Sequence, residues 1–304
     1  MLSWLSSLRR AAAPQPPPPA AAADTAQPAP VLQAAPAMPS LSTLSWLLDG
    51  PAPLQTPATT QERQLLQALD RRIAGTQLNA GLLPRAAAVI PQLLALMRQE
   101  TPQRAALAQQ VLKDLSLSAE VLRVARSPFY GAQPVDTLES ALDRIGIDGL
   151  HAAMARVLLK PVLQAQGDGL SARAAARLWQ RAEYKSMLCA DLLARDGGDR
   201  FAGFLAGLLH DTGWMALLRI VDRAGLRLEL PSSRAMDLAL ERRKDRLFGH
   251  LVADWDLCPA LTSLARQVQT APMEAVATPL ARALRTADWT STVDLSASDT
   301  GGAA

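Results

Sequence analysis

The run Phe201-Ala-Gly-Phe-Leu-Ala-Gly-Leu-Leu-His210-Asp211-Thr-Gly213 ends an apolar stretch with an adjacent imidazole and carboxylate, one residue short of a glycine. Two neighbouring side chains at such a point can aim a nitrogen and an oxygen at one divalent cation, a donor pair suited to metal-assisted hydrolysis. The only other histidines are His151 and His250, so the rest of a ligand set is sparse. Cys189 and Cys258 stand alone, without CxxC or zinc spacing, which argues against a disulfide framework and a structural zinc. Cys189 falls on an apolar face and is expected to pack as a small hydrophobe, and two isolated thiols fit reduced, cytoplasmic surroundings. Ser127 has no His or Asp partner in the sequence for nucleophilic work. The glycines at 197–198 and 300–301 form no phosphate loop. No cofactor is expected.

A second pattern is basic. Arg219, Arg223 and Arg227 recur every four positions, which predicts one helix face, suited to solvent, to carboxylate pairing or to phosphate contacts. The formal net charge of +3 over 304 residues is too small by itself to imply nucleic acid.

The elements that must position these residues are helical. The chain is 49% hydrophobic but only 4% aromatic, with the apolar content concentrated in Ala and Leu. That balance favours helix, and no segment sustains period-two alternation, so no strand is expected. Asp136 with Glu139 resembles a capping box before a Leu138–Leu142–Ile145 stripe that Gly146 ends. Thr101-Pro102 marks another helix start. Ser171 is a candidate cap for a long helix with a face of Ala175, Trp179, Ala182, Ser186, Cys189 and Leu193, stopped at Gly197-Gly198. No uninterrupted apolar run approaches the roughly 20 residues of a membrane span.

At the amino end, residues 11–40 are an Ala/Pro tract that reads as an extended, disordered linker. Met1–Arg10, with Leu2, Leu5 and Leu8, has the form of a short helix for a membrane surface or a partner, or of a frayed terminus. Leu41, Leu44, Leu47 and Leu48 around Trp46 predict a short amphipathic helix stopped by Gly50-Pro51, used to dock on the folded body, with Trp46 as anchor. Residues 291–304 are small and polar and are expected to be a disordered tail.

Taken in order, several pieces resemble the HDOD family, the HD-related output domains of bacterial signalling proteins. They are Leu122-Arg-Val-Ala-Arg-Ser127-Pro-Phe-Tyr130-Gly131, Thr137-Leu-Glu-Ser-Ala141-Leu-Asp-Arg-Ile145-Gly146, Leu178-Trp179, Leu205-Ala-Gly-Leu-Leu-His210-Asp211-Thr-Gly213, Trp255-Asp-Leu-Cys-Pro259 and Ala287-Asp288, over roughly residues 85–290. The resemblance implies an all-α fold. Its expected parts are short helices and linker over 1–59, an amino-terminal helical subdomain over 60–170 and an HD-like helical core over 171–290. It also implies a regulatory, usually non-hydrolytic role beside two-component or cyclic di-nucleotide signalling, with signalling proteins as partners.

Departures from the family pattern bear on chemistry. Arg126-Ser127 stands where many relatives have Asn-Ser. Arg181 stands where an active HD protein carries its first histidine, two residues after the helix tryptophan, and the later histidine positions fall near Lys244 and Val268-Gln269. His210, Asp211 and Asp288 are then the vestigial metal ligands, and Arg181 is expected to replace the cation by pairing with Asp211 or Asp288. A permanent positive charge about 4 Å from a divalent ion, at an effective dielectric near 20, costs roughly 8 kcal/mol. The sequence therefore points to a non-catalytic signalling module that recognises proteins. Two alternatives stay open: a metal-dependent HD-type phosphohydrolase, and a binder of cyclic di-nucleotide or nucleic acid through Arg181 or the Arg219–Arg223–Arg227 face.

Overall fold

A computed structural model describes residues 42–75, 82–98, 111, 115–127, 131 and 134–301. Contacts divide the chain into residues 1–38 and 39–304, and every described residue belongs to the second unit. Met1–Arg10, the Ala/Pro tract, the Thr101-Pro102 start and the turn at 128–130 lie outside the described residues. The described residues are all-α, without a strand; their one β-bridge joins Leu54 to Ser233.

The helices are α1 (Thr43–Leu47), α2 (Thr60–Gly75), α3 (Ala86–Arg98), α4 (Leu115–Ala125), α5 (Leu138–Leu159), α6 (Leu170–Arg195), α7 (Arg200–His210), α8 (Thr212–Arg223), α9 (Arg234–Ala253), α10 (Pro259–Thr270) and α11 (Pro279–Gly301). The main core joins α1, α2 and α3 to α6–α11, through Leu44, Leu69, Leu93, Leu178, Leu205, Trp214, Phe248 and Leu284 among others. A smaller core holds Val111, Val121, Val124, Ala141 and Ile145, between α4 and the first half of α5. α6 is the axis of the larger body: α7, α8 and α11 all pack on it, α9 packs on α8, and α10 on α9.

Local signals were displaced in detail. The box that opens α5 is Thr137 with Ser140, one residue on from Asp136–Glu139: Thr137 Oγ1 accepts from the Ser140 N–H at 3.2 Å. Gly146 does break the stripe, at φ 63°, but helix resumes beyond it as the second half of α5. Ser171 does not cap α6. The Asp222 carboxylate on α8 accepts from the Leu170 and Ser171 N–H groups at 2.8 and 3.0 Å, a tertiary cap at the positive end of the helix. The buried face of α6 runs through Ala174, Leu178, Ala182, Ser186, Cys189 and Leu193, with Arg181 and Lys185 in the middle of it. Burial pushes the Cys189 thiol up to about 12, so it packs without thiolate chemistry.

Three further expectations are corrected. Arg219, Arg223 and Arg227 do not share a helix: α8 ends at Arg223, where Gly225 at φ 59° closes a Schellman turn with Leu226 N–H on Val221 O at 3.1 Å. The supposed tail from Ser291 is helix through Gly301, and Ser291 and Thr292 are buried because this stretch of α11 lies against α6. Arg200–Arg223 is long and apolar enough for a membrane span by length and composition, but 94% of its apolar window is buried within the body.

Candidate functional site

Glycine brings the site helices together. A Cβ on Gly207 of α7 would lie 2.6 Å from Ser186 Cα of α6, and one on Gly213 would lie 2.2 Å from Lys244 O of α9. Only glycine permits both approaches, and they set His210 between Lys185 and Lys244, with Asp211 against Lys185. α11 closes the cluster with Asp288 and Thr292.

Arg181 is fully buried and forks across these groups. Its Nη1 donates to Asp211 Oδ1, and its Nη2 to Asp288 Oδ1 at 2.8 Å and Asp288 O at 3.2 Å. Nε and Nη2 both reach Thr292 Oγ1, at 3.1 and 3.0 Å. Lys185, one turn along α6, places Nζ 2.7 Å from Asp211 Oδ1, 2.8 Å from Asp288 Oδ1 and 3.2 Å from His210 Nδ1. On the far side of the imidazole, Nε2 lies 2.8 Å from Asp245 Oδ1 and 3.2 Å from Lys244 Nζ. Lys244 pairs with Asp245 at 2.8 Å and reaches the partly exposed Glu241 at 3.3 Å. Each imidazole nitrogen thus faces one carboxylate and one ammonium, so either tautomer finds both a donor and an acceptor.

Three cations (Arg181, Lys185, Lys244) therefore neutralise three aspartates (Asp211, Asp245, Asp288) inside the protein. Burial by itself raises the carboxyl pKa of Asp211 and Asp288. The Arg181 guanidinium and then the Lys185 ammonium outweigh it, holding Asp211 below the usual carboxylate range and Asp288 well below. Asp245 is likewise lowered against its burial, by Lys244 and by its bond to His210. Burial and the neighbouring Arg181 push Lys185 down, against the pull of the two aspartates.

These shifts predict acid lability. A carboxyl depressed in the fold contributes stability that is present above its unfolded value near 4 and is lost as pH falls toward the folded value. The melting temperature should hold from neutral pH to about pH 5 and then drop steeply through pH 4 and below. A melting curve that stays flat down to pH 3 contradicts a buried, ionised carboxylate cluster.

His210, Asp211 and Asp288 offer ligand atoms that all lie within 4.8 Å of one another, the arrangement of a small metal centre. The surrounding donors do not fit a divalent ion. Lys185 Nζ lies within bonding distance of His210 Nδ1, Asp211 Oδ1 and Asp288 Oδ1 and so stands where the metal would stand, while Arg181 donates a further bond to each aspartate. Of the two aspartates, Asp211 keeps Oδ2 buried without a hydrogen-bond partner, one free oxygen where a metal asks for four or more donors. A dication added to a cluster already neutral would meet three facing cations at a cost of several kcal/mol each.

The other sequence candidates lie apart from this cluster. Arg219 is half-buried and donates to the carbonyls of Leu82 and, at 2.8 Å, Gln164, a clamp between α8 and the segments beside α3 and α5. Arg223 and Arg227 are exposed on the surface beyond it. Lys185, Asp245 and Thr292 carry no motif signal in the sequence, and Lys244 only that of a missing histidine. The available cue is Lys185 standing four residues after Arg181 on a face otherwise made of Ala, Leu, Ser and Cys. Lys244 and Asp245 were hidden in the charged run Glu241–Arg246, which reads as a solvated surface.

The site sits in an all-helical body, with its His-Asp pair at the junction of two core helices. The HDOD domain model matches residues 83–271, and the chain belongs to the HDOD domain family. Among solved structures it is similar to one from Shewanella amazonensis, named as a candidate metal-dependent phosphohydrolase, at 17% identity and a TM-score of 0.56, covering 75% of this chain and 82% of that one. It is also similar to an HDOD domain protein with unknown function from Geobacter sulfurreducens, at 17% identity and a TM-score of 0.50, covering 75% and 78%. These likenesses concern the fold. No curated protein matches the sequence.

Proposed function

We propose that this HDOD chain is a non-catalytic signal-transduction module that works in the cytoplasm by binding other proteins. The observation that carries the reading is Lys185 Nζ among the three ligand-type atoms of His210, Asp211 and Asp288, with Arg181 bonded to both aspartates. A pocket in which ammonium and guanidinium groups hold Asp211 Oδ1, Asp288 Oδ1 and His210 Nδ1 lacks the free ligand set needed to polarise a phosphodiester or to activate water with a metal. What it retains is a rigid, charge-balanced joint between α6, α7, α9 and α11, which suits a scaffold that presents surfaces.

The second reading, a metal-dependent phosphohydrolase, draws on the 4.8 Å grouping of His210, Asp211 and Asp288 and on the name of the Shewanella relative. It requires Lys185 and Arg181 to leave. Metal analysis of protein purified from manganese- and iron-supplemented cells, together with turnover of bis-p-nitrophenyl phosphate and a cyclic di-nucleotide, separates the two. The expected result is far less than one metal per chain and no turnover above buffer. Stoichiometric metal with hydrolysis that Asp211→Ala abolishes would overturn the proposal. Recovery of a defined signalling protein from native extract supports the recognition role, and a chain that retains none counts against it.

A further inference from the structure

The pattern Leu-Ser-x-Leu-Ser-x-Leu occurs twice in the chain. It reads Leu2-Ser3-Trp4-Leu5-Ser6-Ser7-Leu8 in one copy and Leu41-Ser42-Thr43-Leu44-Ser45-Trp46-Leu47 in the other, each with a tryptophan at one variable position. The structure shows what the second copy's positions do. Ser42 Oγ accepts from the Ser45 N–H at 3.1 Å and caps α1. Leu44 and Leu47 are each 1% exposed, sunk into a groove between α6 and α11. Trp46 Nε1 donates to Asp299 at 3.0 Å, and the Arg177 guanidinium lies 5.5 Å from the indole centroid. Arg177 also donates to Trp46 O and pairs with Asp49, and Arg173 donates to Leu48 O at 3.1 Å.

A five-residue helix has no stability of its own, so the groove imposes the helix on a segment that supplies a capping serine and two spaced leucines. Residues 2–8 supply the same serine and leucine positions. Residues 9–40 separate them from the second copy, a length that extends to on the order of 100 Å and can reach a neighbouring molecule.

We propose that the α6–α11 groove is a binding site for Leu-Ser-x-Leu-Ser-x-Leu segments, and that residues 2–8 of a second copy of this chain are its ligand in trans, competing with α1. The proposal extends the recognition reading but is independent of the metal question. α1 holds the groove as an intramolecular ligand at an effective concentration of order millimolar, so exchange is weak while α1 is firmly anchored. This makes an unusual prediction. Loosening α1's own anchor strengthens binding of the competing segment.

The test uses the full chain, a fluorescent peptide of residues 1–10 and sedimentation of the chain over a concentration series. Trp46→Ala removes the bond to Asp299 and the stacking on Arg177, and is expected to raise peptide affinity at least tenfold over wild type and to promote dimers. Adding Leu5→Ser to that variant should return it to monomer. A folded Trp46→Ala chain with unchanged peptide affinity overturns the proposal, as does equal binding of a peptide with Leu2, Leu5 and Leu8 changed to serine. Should Trp46→Ala not fold, Leu5→Ser in the wild-type background decides. A tenfold loss of self-association at hundreds of micromolar supports the exchange, and an unchanged constant overturns it.

Discussion

Arg181→Leu should lower the free energy of unfolding by about 3–5 kcal/mol, the cost of leaving a buried carboxylate pair short of its cation. The guanidinium is fully buried and supplies bonds to Asp211, Asp288 and Thr292, so its loss leaves Asp211 with Lys185 as its remaining cation and Asp288 with Lys185 and the more distant Lys244. A surface pair provides the control. Arg282–Asp196 is about half exposed on both sides, and Arg282→Ala should cost no more than about 1 kcal/mol. The double variant Arg181→Leu/Asp211→Leu removes one charge of each sign. It should be more stable than the sum of its single changes by more than 1 kcal/mol, because the remaining Lys185–Asp288 pair is balanced. Denaturant unfolding of the four chains measures this coupling. Additivity within 0.5 kcal/mol would mean that Arg181 and Asp211 are not partners.

The helical class and the His-Asp junction were legible because they depend on local pattern: apolar periodicity, the Gly197-Gly198 stop, the apolar run into Gly213. The network was legible only where a residue occupied a position with a family expectation, as Arg181 did. Lys185 carried no such expectation, and a lysine on a helix reads as solvent-facing unless its neighbours on the same face are counted. Asp222 and Ser171 show the other limit. The sequence offers Ser171 as a cap at no distance, whereas the cap used arrives from another helix and depends on how α8 packs on α6. The same holds for α11, whose Ser291–Ala297 stretch has the composition of a tail. Its helix is held by tertiary partners, including Tyr184 on Asp294 at 2.6 Å and Trp46 on Asp299 at 3.0 Å. Propensity assigns such a segment by what it is made of, and packing assigns it by what it touches.

Charge balance also predicts how a metal site can be made here. Three aspartates are matched by Arg181, Lys185 and Lys244, so removing the first two cations leaves a deficit of two positive charges, the charge of one divalent ion. In Arg181→His/Lys185→Met, the methionine vacates the place where Lys185 Nζ touches His210, Asp211 and Asp288, and the new imidazole adds a nitrogen from α6. The metal-free double variant should be destabilised at least as much as Arg181→Leu. Manganese or zinc should then raise its melting temperature, with about 2.7 kcal/mol regained at a hundredfold excess over the dissociation constant. Wild type should show no such response, since its buried cations already fill the role. Calorimetric unfolding with and without metal reads both arms. A double variant that ignores metal while still folded would mean that the aspartates and His210 cannot converge on an ion, and that backbone geometry as well as the buried cations keeps metal out.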